Sequence, residues 1–363
     1  MTLALALGLT KETRRRAALV VIATLASLVA IELGLRVGGD GSETASLRGL
    51  HQARPDTDWL YGLRPGAHVQ LDEPAPVDYQ INADGWRGRR YPRNKPPGAF
   101  RIVVLGDSVA FGYGVAAESA FPAQLEQLAA QRAPEARIEV LNLGVGGYNP
   151  YNEAALFADV GVAFQPDLVL VQFCINDLND PTLHFDASTQ LELQTLPDLA
   201  FPNPATRGSD EAPNSWCSKS RLCDWIASRT GSELDRDAWL EALAPLDRDR
   251  NQVEWRWLAA RYAEIAEQAA RIGARMAVVA LPYPAQLDGQ ADANLQRRLA
   301  AIGRSGGWET IDLLPPFRAA DGTELFLDLW HPTKLGHQLA AQHILDALAC
   351  DDLLPAALTC PER

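Results

Sequence analysis

The stretch from Val103 to Gly114 reads VVLGDSVAFGYG, and the interpretation of the whole chain depends on it. An apolar run ends at a Gly-Asp pair, and a single serine follows before the chain becomes glycine-rich. Gly, Asp and Ser are typical of turns and helix N-caps, so Ser108 fits the cap of a helix that follows a buried strand. The same position also suits a nucleophile. Residues elsewhere in the chain distinguish these two interpretations.

From Arg101 onward, apolar runs alternate with amphipathic segments of helical length. The runs read RIVVLGD, RIEVLNLG, PDLVLVQFCIND, RMAVVALP and WETIDLLPPF. Such an alternation predicts parallel strands joined by right-handed helical crossovers. We therefore expect an α/β fold over residues 101–350, in which helices flank a doubly wound, parallel, five-stranded sheet. Between the third and fourth runs, residues 183–246 lack periodicity, which predicts an insertion or lid.

The N-terminal segment predicts one membrane span. Residues 1–16 include Arg14, Arg15 and Arg16, and the run from Ala17 to Val37 is almost entirely apolar. About 20 apolar residues suffice to cross a bilayer, and the basic flank stays in the cytoplasm. We expect a transmembrane signal anchor at residues 17–37, with the remainder of the chain periplasmic at a bacterial inner membrane. A cleaved signal peptide is the alternative, although no small-x-small cleavage site follows the run.

Residues 38–100 are rich in Gly, Pro and polar side chains, which predicts a linker followed by a small β-rich lead-in. Within it, VDYQINADGWRGR alternates apolar and polar residues and then meets Asp84-Gly85, as a short strand and a tight turn do. Residues 351–363 form a predicted C-terminal tail.

Cysteine usage and charge limit the possible partners. Cys217 and Cys223 lie close together, and Cys350 and Cys360 bracket the tail, so each pair is a candidate disulfide in an oxidising compartment. Cys174 lies in an apolar strand and is predicted to be a buried free thiol. No cysteine spacing suits zinc. The net charge of −13 argues against a nucleic-acid partner, because phosphate binding needs a basic surface.

Four polar or glycine-rich segments lie where a parallel sheet binds ligands, beyond the carboxyl ends of its strands. They are Gly106-Asp107-Ser108, Asn142 to Gly147, Asn176-Asp177, and Asp328 to His331. A serine nucleophile needs a base, the base needs an orienting acceptor, and the oxyanion needs aimed donors. These segments contain all three kinds of group.

Each group has a candidate role. Ser108 is the candidate nucleophile and His331 the base, with Asp328 three residues earlier as the orienting carboxylate. The backbone N–H groups of Ser108 and Gly147 and the side-chain amide of Asn176 are the candidate oxyanion donors. Taken singly, each residue also has a structural explanation, such as an Asx turn or a helix start. Their occurrence together and in this order favours catalysis.

The pattern of GDS, a glycine in NLGVGG, then ND and DLWH resembles the SGNH, or GDSL-type, hydrolase superfamily. The resemblance extends from Arg101 to about Leu348, interrupted by the insertion. It implies a catalytic triad of Ser108, Asp328 and His331, with Gly147 and Asn176 completing the oxyanion hole. Gly147 is chosen over the neighbouring glycines because it follows Asn142 by the family's usual spacing. The lead-in INADGWRG and the N-terminal span resemble a bacterial membrane-anchored branch.

Competing motifs are less complete. The GxGxxA match at Gly112 begins beyond the strand and lacks the acidic residue that a dinucleotide site needs. Ala110 interrupts the GxSxG elbow of α/β-hydrolases. His337 and His343 fall in the predicted last helix, where they are interpreted as packing or surface residues.

We therefore expect a serine esterase that needs no metal and no organic cofactor. Its expected substrates are small O-acyl esters on an envelope or extracellular glycan. An O-acyltransferase with the same triad is one alternative, because the chemistry diverges only at deacylation. A non-catalytic envelope assembly or binding protein is the other. The tryptophans of the insertion suit a wall over the site and plain packing equally, and nothing in the sequence indicates an oligomeric state.

Overall fold

The computed structural model describes residues 47–71, 76–178, 252–287, 293–320 and 324–361, together with Arg16, Val20 and Ser27. The chain divides into two compact units, one of residues 1–44 and 204–238, the other of residues 45–203 and 239–363. In the first unit only Arg16, Val20 and Ser27 are described. All elements below belong to the second unit.

Two small hairpins form the lead-in. Strand β1 (His51–Ala53) pairs antiparallel with β2 (Tyr61–Leu63), and β3 (His68–Leu71) pairs antiparallel with β4 (Val77–Gln80). After β4, an isolated bridge joins Ile81 to Arg87 across a turn that contains Gly85. The strand and tight turn predicted within VDYQINADGWRGR are therefore confirmed.

Five parallel strands form the central sheet. They are β5 (Ala99–Leu105), β6 (Arg137–Asn142), β7 (Leu168–Phe173), β8 (Arg275–Ala280) and β9 (Glu309–Asp312). Their order across the sheet is β6-β5-β7-β8-β9, and every neighbouring pair is parallel. The first strand of the domain thus lies inside the sheet, as in flavodoxin-like folds, and the chain reverses direction across the sheet beside β5.

Helices cover both faces of this sheet. They are α1 (Ser108–Phe111), α2 (Phe121–Arg132), α3 (Pro150–Asp159), α4 (Gln252–Arg271), α5 (Pro284–Leu287), α6 (Asn294–Gly306), α7 (Leu314–Ala319) and α8 (Lys334–Cys350). Along β5, Val103 contributes to one apolar core and Val104 to the other, as expected when successive side chains point to opposite faces. Helices α3, α4 and α6 pack into the first core, and α2, α7 and α8 into the second. The predicted α/β sheet with flanking helices is confirmed.

Helix α4 buries one apolar stripe against the sheet side of the core. The stripe consists of Trp255, Leu258, Tyr262, Ile265 and Ala269. Among the described cysteines, Cys350 at the end of α8 is disulfide-bonded to Cys360, and Cys174 is buried and outside that disulfide. The disulfide holds the tail where Leu353, Leu354 and Leu358 enter the second core.

Several predictions fall outside the described residues. These are the insertion at 183–246, the Cys217–Cys223 pair, and the span at 17–37 apart from Val20 and Ser27. Where the structure does describe the chain, none of its helices combines the length and apolarity that a membrane crossing needs.

Candidate active site

The loop that ends β5 places Ser108 at the start of α1. The carboxylate of Asp107 accepts a hydrogen bond from the N–H of Val109 at 2.9 Å, so Asp107 is the N-cap and Ser108 is the first helical residue. The interpretation of Ser108 as the cap is therefore wrong. Its side chain is not needed for capping, because Asp107 already accepts from the N–H of Val109.

Gly106 allows this turn to lie close to the sheet. A Cβ atom here would lie 2.6 Å from Oε1 of Gln172 and 2.7 Å from Cβ of Ala110. The same Gln172 oxygen accepts from the N–H of Ala110 at 3.1 Å. Gln172 on β7 therefore fixes α1 directly above the strand ends, and only glycine at position 106 leaves room for that contact.

Ser108, His331 and Asp328 form one hydrogen-bonded line. Nε2 of His331 lies 2.9 Å from Oγ of Ser108, and Nδ1 of His331 lies 2.7 Å from Oδ2 of Asp328. Ser108 and His331 are 223 positions apart in sequence. The fold thus brings the end of β5 to the segment that precedes α8. A serine–imidazole–carboxylate line of this kind is the arrangement that activates a hydroxyl.

Local backbone geometry orients the carboxylate of Asp328. Its Oδ1 accepts from the backbone N–H groups of Trp330 and His331, each at 2.8 Å, which leaves Oδ2 for the imidazole. Burial opposes ionisation of this carboxyl, but the hydrogen bonds and the charge of His331 outweigh it and hold the pKa of Asp328 below its ordinary value of 3.8. Asp328 is therefore an anion at neutral pH.

The segment after α1 covers the imidazole. The rings of Tyr113 and His331 are 4.4 Å apart between centroids, and the N–H of Tyr113 bonds the carbonyl of Ser108 at 2.9 Å. The imidazole is fully buried. The backbone turn between Ser108 and Tyr113 thus places the tyrosine ring on the same imidazole that hydrogen-bonds the hydroxyl of Ser108.

Arg87 of the lead-in holds this same segment. Its guanidinium donates to the carbonyls of Phe111 at 3.0 Å and Val115 at 2.6 Å, and also to that of Gly112. The guanidinium lies over the rings of Tyr79, at 4.5 Å, and Phe111, at 4.9 Å. Burial lowers the pKa of Arg87 to about 10, so the side chain stays charged at neutral pH. The lead-in therefore supports the active site directly.

The predicted oxyanion loop follows β6. The side chain of Asn142 bridges it to α1, donating to the carbonyl of Ala110 at 2.6 Å and accepting from the N–H of Gly144 at 2.9 Å. Gly147 is exposed and has a φ of 81°, a left-handed conformation that favours glycine. Within the described residues no acceptor takes the N–H of Ser108 or of Gly147. Both groups therefore keep their donor capacity.

Asn176 lies in a short 3₁₀ turn, Ile175–Leu178, that directly follows β7. Its backbone is therefore at the same sheet edge as Ser108, and its side chain lies outside the described residues.

A family model described as the GDSL-like Lipase/Acylhydrolase family matches residues 104–339, more than half of the chain.

The chain belongs to this family. The predicted superfamily is thereby confirmed, and with it the prediction of an enzyme that hydrolyses ester bonds. The matched residues begin within β5 and extend into α8, so they include Ser108, Asp328 and His331.

Three of the solved structures that are similar to this chain are the following. TesA is 14% identical and covers 70% of this chain and 99% of its own, with a TM-score of 0.42. LAE5, an alpha/beta hydrolase from the metagenome of Lake Arreo in Spain, is 19% identical and covers 69% and 95%, with a TM-score of 0.42. Axe2, an acetylxylan esterase from Geobacillus stearothermophilus, is 16% identical and covers 69% and 94%, with a TM-score of 0.43. No curated protein sequence matches this hydrolase.

Two buried carboxyls that sequence reasoning missed lie near the site of the GDSL-like hydrolase. Oδ2 of Asp177 accepts from the N–H of Cys174 at 2.9 Å and from the hydroxyl of Tyr262 at 3.5 Å. Neither carboxyl oxygen of Glu153 on α3 has a hydrogen-bond partner among the described residues. Burial, followed by the negative charge of Asp107, raises the pKa of Glu153, and burial together with the charges of Glu153 and Asp107 raises the pKa of Asp177.

Other polar groups of the described hydrolase have structural explanations. His337 is buried, and its Nδ1 accepts from the N–H of Phe121 at 3.2 Å, so it packs α8 on α2 as predicted. In the described ranges, no group of His, Cys, Asp and Glu side chains has the arrangement of a metal site.

Proposed function

We propose that this GDSL-like hydrolase is a serine esterase in which Ser108 is acylated and then released by water. The observation that carries the proposal is the hydrogen-bonded line from Oγ of Ser108 through His331 to Asp328, with distances of 2.9 and 2.7 Å. A hydroxyl is a weak nucleophile until an adjacent base takes its proton, and this line supplies both the base and its orienting anion.

The reaction takes place in two halves. Oγ of Ser108 bonds to the ester carbonyl carbon while its proton passes to Nε2 of His331. Asp328 stabilises the resulting imidazolium through Nδ1. The imidazolium then gives the proton to the departing alcohol as the carbon–oxygen ester bond breaks. In the second half, water attacks the acyl carbonyl carbon and loses a proton to Nε2 of His331. The bond from that carbon to Oγ then breaks, and the imidazolium returns the proton to Oγ of Ser108 as the acid leaves.

The oxyanion of each tetrahedral intermediate takes hydrogen bonds from three donors in this proposal. They are the backbone N–H groups of Ser108 and Gly147 and the side-chain amide of Asn176. Two observations support the backbone donors: no acceptor among the described residues competes for them, and Gly147 is exposed and carries no side chain of its own to cover its amide. Preorganised donors of this kind stabilise charge that develops only in the transition state.

The proposed substrates are small O-acyl esters on an envelope or extracellular glycan, with the enzyme anchored in a bacterial inner membrane by residues 17–37. Support comes from the N-terminal sequence alone, where a basic cluster precedes a long apolar run. An anchored enzyme acts on polymers that pass within reach of its linker, which suits an envelope substrate.

A fluorophosphonate probe tests the proposal. Full-length protein is expected to hydrolyse p-nitrophenyl acetate and to be labelled stoichiometrically at Ser108. Ser108→Ala is expected to abolish labelling and to lower kcat by about five to six orders of magnitude. Unlabelled, inactive wild-type protein that is correctly folded would refute the proposal. Acyl product on an added sugar in place of free acid would indicate transfer to an alcohol instead of water.

A further inference from the structure

A tyrosine of the lead-in contacts the loop that carries Gly147. The hydroxyl of Tyr61, on β2, donates a hydrogen bond to the carbonyl oxygen of Gly146 at 3.3 Å. That carbonyl and the N–H of Gly147 are the two ends of one planar peptide group. Because the group is rigid, fixing its oxygen also fixes the direction in which the N–H points.

Tyr61 is itself held rigidly. Its side chain is 3% exposed, and its ring meets that of Tyr148 edge-to-face, with centroids 5.1 Å apart. The hydroxyl of Tyr148 bonds the backbone carbonyl of Tyr61 in return. Burial, and next the charge of Asp107, raise the pKa of Tyr61, so its hydroxyl remains a donor across the working range of pH.

We propose that Tyr61 is a positioning residue of the oxyanion hole, holding the Gly146–Gly147 peptide so that its N–H faces the reacting carbonyl. The inference rests on the proposed function. Tyr61 touches neither substrate nor Ser108 in this role and acts only through the peptide. A hydrogen bond to a peptide oxygen also polarises the group, which strengthens its N–H as a donor. Gly146 and Gly147 are adjacent glycines, whose backbone is less restricted than that of other residues, so an external anchor has a clear purpose.

The test compares Tyr61→Phe with a matched variant, Tyr91→Phe. Both substitutions remove one hydroxyl from a largely buried tyrosine, and the Tyr91 hydroxyl bonds Glu126 instead of the oxyanion loop. Tyr61→Phe is expected to lower kcat and the rate of fluorophosphonate labelling about tenfold, with KM unchanged, because a misdirected donor costs less than the 10²–10³ of a deleted one. Tyr91→Phe is expected to leave kcat unchanged.

A second measurement does not depend on catalysis. In full-length protein labelled with ¹⁵N-glycine, Tyr61→Phe is expected to move the Gly147 amide resonance, which Gly147→Ala identifies by its loss. If the wild-type protein is active and Tyr61→Phe changes neither kcat, nor the labelling rate, nor the Gly147 resonance, the inference is overturned and the proposed function stands. A fall in kcat with equal loss in Tyr91→Phe also overturns it, since both then report general destabilisation. Wild-type protein without activity or labelling overturns the proposed function and this inference together.

Discussion

The ring of Tyr113 packs on the imidazole of His331, with 4.4 Å between the ring centroids. Tyr113 lies in the segment whose carbonyls accept from Arg87, so the contact connects the lead-in to the proposed catalytic base. A histidine that must accept and return a proton in each half-reaction needs a fixed orientation, since small displacements of a reacting group lower rates strongly. Packing against Tyr113 and the hydrogen bond to Asp328 together fix the orientation of the imidazole.

Replacing Tyr113 tests this packing. We expect Tyr113→Ala to lower kcat by about ten- to a hundredfold, because the imidazole loses the surface that limits its rotation. Tyr113→Phe keeps the ring and is expected to retain most of the activity. Steady-state kinetics with p-nitrophenyl acetate measure both. Equal activity of the alanine and wild-type proteins would show that Asp328 alone orients the imidazole.

Arg87 is expected to be essential for the stability of the lead-in and of the loop after α1. Arg87→Ala removes a charged donor from three carbonyls, and we expect a loss of about 3 kcal/mol or more in the free energy of unfolding. Arg87→Lys is expected to recover little, because a single ammonium cannot reproduce the planar fork of donors. Chemical denaturation measures both values.

Arg90→Ala is the matched control for these variants. Arg90 lies three positions away and pairs with Asp84 at the surface, at 2.7 Å, where ion pairs contribute little. Its removal is expected to leave the denaturation midpoint close to that of wild type. A midpoint for Arg87→Ala that matches that of Arg90→Ala would contradict the role assigned to Arg87.

Asp328→Asn is expected to lower kcat by about 10⁴ while the fold persists. The amide can keep its oxygen toward the backbone N–H groups of Trp330 and His331, but its nitrogen then faces Nδ1 of His331 and favours the wrong tautomer. Labelling kinetics report the loss, and circular dichroism serves as the folding control.

Because the pKa of Asp328 is lowered, its contribution to stability is present above pH about 3.8 and is lost as the pH falls through the folded value.

Glu153→Gln is expected to flatten the dependence of stability on pH. A raised pKa means that the folded protein keeps a proton which the unfolded chain releases above pH 4.5. The free energy of unfolding of the wild-type protein therefore falls as the pH rises above 4.5, by at most about 1.4 kcal/mol per pH unit from this one group. The neutral amide removes the contribution. Unfolding free energies at pH 5 and pH 8 test this, and equal slopes for both proteins would refute it.

The repeating strand–helix pattern predicted the sheet because its signal is local and periodic. Apolar runs such as LVLVQF in β7 are buried on both faces, and the intervening helices are long enough to show a stripe. The sequence also predicted that Ser108, Asp328 and His331 lie at one sheet edge, because Asp328 and His331 are three positions apart and Ser108 follows the turn after a strand. Their catalytic roles stay a prediction. The N-cap role of Asp107 could not be predicted, because Asp and Ser have similar preferences for the N-cap position of a helix.

The supporting residues escaped prediction because their partners are distant in sequence. Arg87 and Tyr61 lie in an irregular segment, and nothing local indicates that they bond loops 24 and 85 positions later. Gln172 gave a usable signal, as a polar residue inside an otherwise apolar strand. A buried polar residue needs a partner, and the glycine-rich turn after β5 was the nearest candidate.

The separation between Ser108 and its base has a consequence for biosynthesis. The ribosome completes the nucleophile's strand and helix long before it reaches the segment that carries His331, and α8 must then dock on α2 through His337 and Phe121. A growing polypeptide therefore contains Ser108 without its hydrogen-bond partner until the segment that carries His331 has been made. In the proposed mechanism, premature termination at any codon before residue 331 leaves a product without the base, and hydrolysis begins only after that segment has been translated.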